Sequence, residues 1–125
     1  MDGLIVAKVE KPWGYYKILF ENYPSMKVKE LYVEPRKSLS LQRHFSRSEQ
    51  WTVVVGSPKV ILGGDRNLLK SIQLERHDML EIPVGHWHQL RNDSNYVVKV
   101  LEIQYGEKCD EDDIERINIQ KTTEE

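Results

Sequence analysis

Four side chains that can bind a metal ion fall in two short stretches of the chain. Gln42 and His44 flank Arg43, Glu49 follows shortly after, and His88 comes forty-four residues beyond His44 in Pro83-Val84-Gly85-His86-Trp87-His88. Alternate residues of a strand point to one face, so Gln42 and His44 share a side. The Pro-x-Gly turn would deliver His88 at the start of a second strand. An amide oxygen, two imidazole nitrogens and a carboxylate form a mixed donor set. It suits Zn foremost, or Mn, Fe, Co or Ni, and leaves positions open for water or substrate. Taken singly, the same residues read as surface or hydrogen-bonded polar groups. His77 and His86 have no such company and read as ordinary polar residues, and Trp13, Trp51 and Trp87 read as packing residues.

Positioning these groups falls to strands. The chain has 125 residues with twelve Val, nine Ile and twelve Leu but one Ala, Ala7, which favours pleated surfaces over helices. Candidate strands are Tyr15–Phe20, Met26–Val33, Ser38–His44, Gln50–Val55, Lys59–Leu62, Leu69–Leu74, Met79–Ile82, His88–Arg91 and Val97–Tyr105. Pro24, Pro35, Gly56-Ser57-Pro58, Gly63-Gly64-Asp65, Pro83-Val84-Gly85 and Asn92-Asp93-Ser94 separate them. Strands at this spacing predict an all-β sandwich or barrel spanning residues 1–125 as one domain. A short helix is expected near Asp110, where acids would favour its N-terminal end.

Residues 107–125 carry eight acids against three bases, and the other 106 residues carry 15 bases against 12 acids. The body is thus mildly basic, too weakly for nucleic acid but suited to a small anion, and the acidic C-terminal tail reads as a solvated end. No apolar run is long enough to span a membrane, and MDGLIVAKVEKPWG does not read as a signal peptide, so a cytoplasmic location is expected. The single cysteine, Cys109, lies among acids that would raise its pKa and reads as incidental.

The segments Gln42 to Gly56 and Pro83 to Asn92 resemble the two cupin motifs, G(x)5HxH(x)3,4E(x)6G and G(x)5PxG(x)2H(x)3N, with Gln in place of the first His. The leading glycines would fall at Arg36 and His77. A narrower resemblance covers residues 11–117. KPWGYY, MKVKELYVEP, LSLQRHFSRSEQWTVVVG, IPVGHWHQLRN and VLEIQYGEKCDEDDIERI are similar to successive blocks of the C-terminal domain of type II mannose-6-phosphate isomerases, where Gln-x-His is typical. Bifunctional members also carry a guanylyltransferase domain, for which this sequence has neither the length nor the Gly-rich start, so nucleotide transfer is not expected. Glu30 stands where the family has Arg, Gln50 where it has His, and Phe45-Ser46 where it has a His-rich pair.

The resemblance implies a cupin barrel with Gln42, His44, Glu49 and His88 as metal ligands. It also implies metal-dependent interconversion of mannose 6-phosphate and fructose 6-phosphate, a step of sugar-nucleotide or polysaccharide synthesis. Arg47 matches the Arg of the family's HxxRxE string and is the candidate for substrate binding or oxyanion stabilisation. Lys27 and Lys29 share a parity with Leu31 and Val33, so that strand is apolar at one end and basic at the other; the lysines fit either a phosphate or an exposed strand end. Glu102 and Gln104 share a face with Val98 and Val100 and are candidates to line the barrel, with Glu102 a possible catalytic group. A rival expectation is a non-catalytic metal-binding cupin that recognises a sugar or sugar nucleotide, or an accessory domain. A cupin dioxygenase is disfavoured by Gln at the first ligand position. Half-open barrels leave strand edges that pairing can cover, and a homodimer is expected.

Overall fold

The computed structural model describes residues 7–117. Eleven strands follow in order: β1 (Ala7–Lys11), β2 (Gly14–Asn22), β3 (Met26–Val33), β4 (Leu41–Arg43), β5 (Arg47–Val55), β6 (Lys59–Gly63), β7 (Lys70–Gln73), β8 (Met79–Ile82), β9 (Trp87–Arg91), β10 (Val98–Gly106) and β11 (Glu115–Ile117). All pairings are antiparallel. One sheet has the order β1-β2-β3-β10-β5-β8 and the other β11-β4-β9-β6-β7. Every element among the described residues is a strand or a turn, and none is a helix long and apolar enough to cross a membrane.

The inward rows of three adjacent strands change character at the same level. On β3 they run Val33, Leu31, Lys29, Lys27; on β10, Val98, Val100, Glu102, Gln104; on β5, Val53, Trp51, Glu49, Arg47. Register aligns them, with Val100 opposite Leu31 and Val53, Glu102 opposite Lys29 and Trp51, and Gln104 opposite Lys27 and Glu49. The apolar halves join Val60 and Leu90 of the facing sheet in one core. Each such fully buried side chain contributes about 1.5–3 kcal/mol, which lets the other end of the barrel remain polar.

The expected strands are present, with changed ends. β5 begins at Arg47 rather than Gln50 because β10 continues opposite it to Gly106. The expected Ser38–His44 strand is regular only over β4, while Ser38 makes an isolated bridge to Arg91 and the Leu39 amide bonds the Leu90 carbonyl. β1 and β11 were not expected. The helix near Asp110 does not form; the segment is a turn, closed by the Asp113 amide on the Asp110 carbonyl at 3.2 Å. Its backbone groups bond elsewhere: the Cys109 amide to Pro24, the Asp110 carbonyl to Arg47 and the Asp113 carbonyl to His44.

Arg36 and His77, which stand where the cupin motifs begin with glycine, both adopt left-handed backbone, with φ of 64° and 76°. The turns therefore keep the shape that glycine normally supplies, at roughly 1–2 kcal/mol of strain per residue.

Candidate metal centre and its pocket

Backbone hydrogen bonds join the two ligand-bearing stretches. Gln42 pairs with His88 across β4 and β9, and the Gly85 amide donates to the His44 carbonyl at 2.7 Å. Glu49 comes from the opposite sheet. His44, Glu49 and His88 are buried, and one ligand-capable atom from each lies within 4.8 Å of the others. Glu49 Oε2 is 3.1 Å from His44 Nε2, and Oε1 is 3.6 Å from His88 Nε2. Nδ1 of His44 meets the Asp113 carbonyl at 2.7 Å, and Nδ1 of His88 meets the His86 carbonyl at 3.0 Å. A carbonyl can only accept, so each Nδ1 carries a proton, and in the neutral rings the Nε2 lone pairs face Glu49.

Acceptors this close need a proton or a cation beside them; the Arg47 guanidinium supplies one here, and two imidazole nitrogens with a carboxylate are also a donor set that fits a transition-metal ion. The Nδ1–H···O=C bonds are the outer support that such ligands usually have. His44, Glu49 and His88 would hold the ion, and Gln42, the fourth expected ligand, lines the same cavity. The cavity, of about 380 Å³, is also walled by Trp13, Tyr16, Lys29 and Gln89.

Arg47 is buried beside this cluster. Its Nε donates to Glu49 Oε2 at 3.1 Å, Nη1 to the Asp110 carbonyl at 2.7 Å, and Nη2 lies 3.2 Å from His44 Nε2. Burial alone would raise the Glu49 carboxyl. When the two rings are protonated at Nε2 as well, the hydrogen bond from His44 and the charges of His88, His44 and Arg47 outweigh it and hold the group well below the usual carboxylate range. His88 is also shifted downward, chiefly because burial disfavours its charged form. Glu102 is pushed up to about 7 by burial and by the charge of Glu49. Its Oε1 accepts from Trp51 Nε1 at 2.9 Å and its Oε2 from Gln104 Nε2 at 2.8 Å. The same indole N–H reaches Glu49 Oε1 at 3.2 Å. Trp51 is thus a core residue, as expected, and also ties the two carboxylates together, which its sequence context did not reveal.

Lys27 and Lys29 are not an exposed strand end. Both are about 5% exposed, and both ammonium groups bond the Glu111 carboxylate, at 2.9 Å and 2.8 Å. Burial would lower Lys27, but the bond to Glu111 and its charge prevail and raise it. Glu111 itself is drawn down to about 2: burial would raise it, and Lys29 followed by Lys27 outweighs that.

The acidic tail is therefore not simply a solvated end. Between Glu107 and Ile114 it is tied to the barrel, with the Asp113 carboxylate accepting from the Phe45 and Ser46 amides at 2.9 and 2.8 Å. Lys121, Glu124 and Glu125 lie outside the described residues. Cys109 is buried here, and burial raises its thiol pKa, as expected for an inert group. Glu30 and Gln50 point to the outer face, opposite in parity to Lys29 and Glu49, and Glu30 sits 4.0 Å from Lys17. Neither departure from the family pattern reaches the pocket.

A cupin-2 domain from Rhodospirillum rubrum matches 88% of this chain and 69% of its own, with a TM-score of 0.69 and 16% identity. Oxalate decarboxylase from Bacillus subtilis matches 89% of this chain and 30% of its own, with a TM-score of 0.77 and 13% identity. Fold and buried cluster together define a cupin with a candidate metal centre. Residues 4–119 match the family described as mannose-6-phosphate isomerase C-terminal, and the chain belongs to that family. A mannose-1-phosphate guanylyltransferase of Escherichia coli (strain K12) is 34% identical over 109 residues, covering 87% of this chain and 22% of the relative. The chain spans about a fifth of the length of the curated relatives it matches.

Proposed function

We propose that this chain is a metal-dependent aldose–ketose isomerase acting on a sugar phosphate, mannose 6-phosphate and fructose 6-phosphate first, in sugar-nucleotide or polysaccharide synthesis in the cytoplasm. The supporting observation is the buried His44–Glu49–His88 cluster opening onto a cavity of about 380 Å³, within the size range of small-molecule sites, in a member of this family. A divalent ion held there, zinc foremost, would supply Lewis-acid stabilisation as negative charge develops on substrate oxygens. The reaction moves a proton between adjacent carbons. Glu102 stands in the cavity wall with its carboxylate oriented by Trp51 and Gln104, and we assign it as the candidate proton carrier. Arg47 keeps Glu49 in place and contributes positive charge near the developing oxyanion. Lys29 in the cavity wall, with Lys27 beside it on the same Glu111 carboxylate, would form the phosphate end.

A second reading, a metal-binding cupin that recognises a sugar or sugar nucleotide without turnover or serves as an accessory domain, is favoured by one observation: Glu111 already sits on the lysine pair. The assay that separates the two couples fructose 6-phosphate formation from mannose 6-phosphate to a reporter, with several divalent metals. Turnover above the metal-free control, abolished in Glu102→Gln and reduced in Arg47→Ala, supports the isomerase. No turnover of any hexose phosphate by metal-loaded protein overturns it in favour of the binding module.

A further inference from the structure

We infer that Lys27 and Lys29 form an anion subsite which the chain fills with its own Glu111 carboxylate, and that a phosphoryl group binds by displacing that carboxylate. The inference rests on the pocket being a sugar-phosphate site. Two lysines at alternate positions of β3 point inward and are almost fully buried, and like charges held that close need an anion between them. Glu111 supplies it: Oε2 is 2.9 Å from Lys27 Nζ and 2.8 Å from Lys29 Nζ, and Oε1 is 3.0 Å from Lys29 Nζ. Among the described residues, Glu21 lies 3.4 Å from Lys27, Glu102 is opposite Lys29 across the strands, and Arg47 and Arg116 line the same cavity as Lys29 and Glu111. Tyr16 presents its ring face 4.0 Å from the Lys29 ammonium.

The carboxylate is a guest rather than part of the barrel wall. Its side chain remains 46% exposed while both lysines are buried, so it reaches in from the cavity mouth. It is carried on a strap fastened on either side of it. Before Glu111, the Cys109 amide bonds Pro24 at 2.8 Å and the Asp110 carbonyl bonds Arg47; after it, Asp113 holds His44, Phe45 and Ser46. Rotation of the Glu111 side chain alone vacates the subsite and leaves those fastenings in place. A phosphoryl group brings more charge and more acceptor oxygens than a carboxylate to the same two donors. Neutral sugars have no means of displacing Glu111, so the strap also discriminates for phosphorylated ligands.

The test is calorimetric titration of inorganic phosphate into the full chain, metal-loaded, with folding checked by thermal melting. Glu111→Gln should tighten phosphate binding about tenfold, the effect of removing one charge-assisted competitor. Lys29→Met added to Glu111→Gln should undo the gain, which excludes phosphate bound at the metal. Asp112→Asn, which removes an equal charge from the same strap, should change affinity less than twofold. In the unaltered chain, the side-chain carboxyl 13C resonance of Glu111 should move with phosphate along the same binding curve, so the inference stays testable if Glu111→Gln folds poorly. Equal tightening in Asp112→Asn, unchanged or weaker binding in folded Glu111→Gln, or a Glu111 resonance indifferent to bound phosphate would overturn it. Turnover is no part of these readouts. Phosphate competition without isomerisation defeats only the isomerase reading, and isomerisation with no response at Glu111 defeats only this inference.

Discussion

His44, His88 and Glu49 are each held in place by a group outside the donor set. His44 and His88 have their tautomers set by backbone carbonyls, and Glu49 is gripped by Arg47 and Trp51. Two predictions belong here. Elemental analysis should find one divalent transition metal per chain, and His44→Ala with His88→Ala should abolish it, because oxygen ligands alone hold such ions poorly; unchanged stoichiometry would refute the ligand assignment. Trp51→Phe keeps an aromatic side chain in the core but removes the pyrrole half of the indole and leaves Glu49 and Glu102 without their shared donor. It should cost about 1–3 kcal/mol in stability and weaken metal binding roughly 10–100-fold, the usual effect of losing outer support. Metal titration and thermal melting measure both, and a variant with native affinity would show that the indole serves packing alone.

Turns and straps decide how the elements meet. Gly85 has φ of +78°, and nothing lies within 4 Å of where a Cβ would stand, so Gly85→Ala isolates the backbone penalty. It should destabilise by about 1–2 kcal/mol, and because the Gly85 amide holds the His44 carbonyl it should also loosen the metal site; chemical denaturation and metal titration test the two effects separately. His77→Gly makes the opposite change at an exposed turn and should be neutral or stabilising by up to about 1 kcal/mol, since relief of strain competes with the greater freedom of glycine in the unfolded chain.

The strap has its own pH signature. Glu111 titrates near 2 when folded against 4.5 for an ordinary glutamate, so its stabilisation is complete above about pH 4.5 and is lost as pH falls towards 2. The gap in melting temperature between the unaltered protein and Glu111→Gln should accordingly be widest near neutrality and close across that window. A gap independent of pH would mean that the lysine contact does not form in solution.

For the molecule as a whole, burial is divided between an apolar end that stabilises the barrel and a polar end that carries the candidate metal centre. Among the described residues, the sheets end in edge strands β1 and β8 on one and β11 and β7 on the other. Met79 on β8 is 60% exposed, and such edges favour a partner strand. We therefore propose a homodimer, to be checked by sedimentation; a single species of 14.7 kDa would exclude it.

Much of this was legible in the amino-acid order because it is local. Alternation along a strand puts Lys27 with Leu31 and Glu102 with Val100, whichever strand lies alongside, and motif spacing marked three of the cluster's residues and the wall residue Gln42 before any fold was known. The same parity already set Glu30 and Gln50 opposite the inward rows, although only their family positions had drawn notice. The tertiary structure alone decided the long-range partners. Glu111 meets lysines 82 and 84 residues away, Asp113 supports a histidine 69 residues away, and Trp51 shares its N–H with a carboxylate 51 residues away. No local period encodes such pairs: they arise where the folded barrel buries charge, and each buried charge must find a partner wherever the chain happens to return.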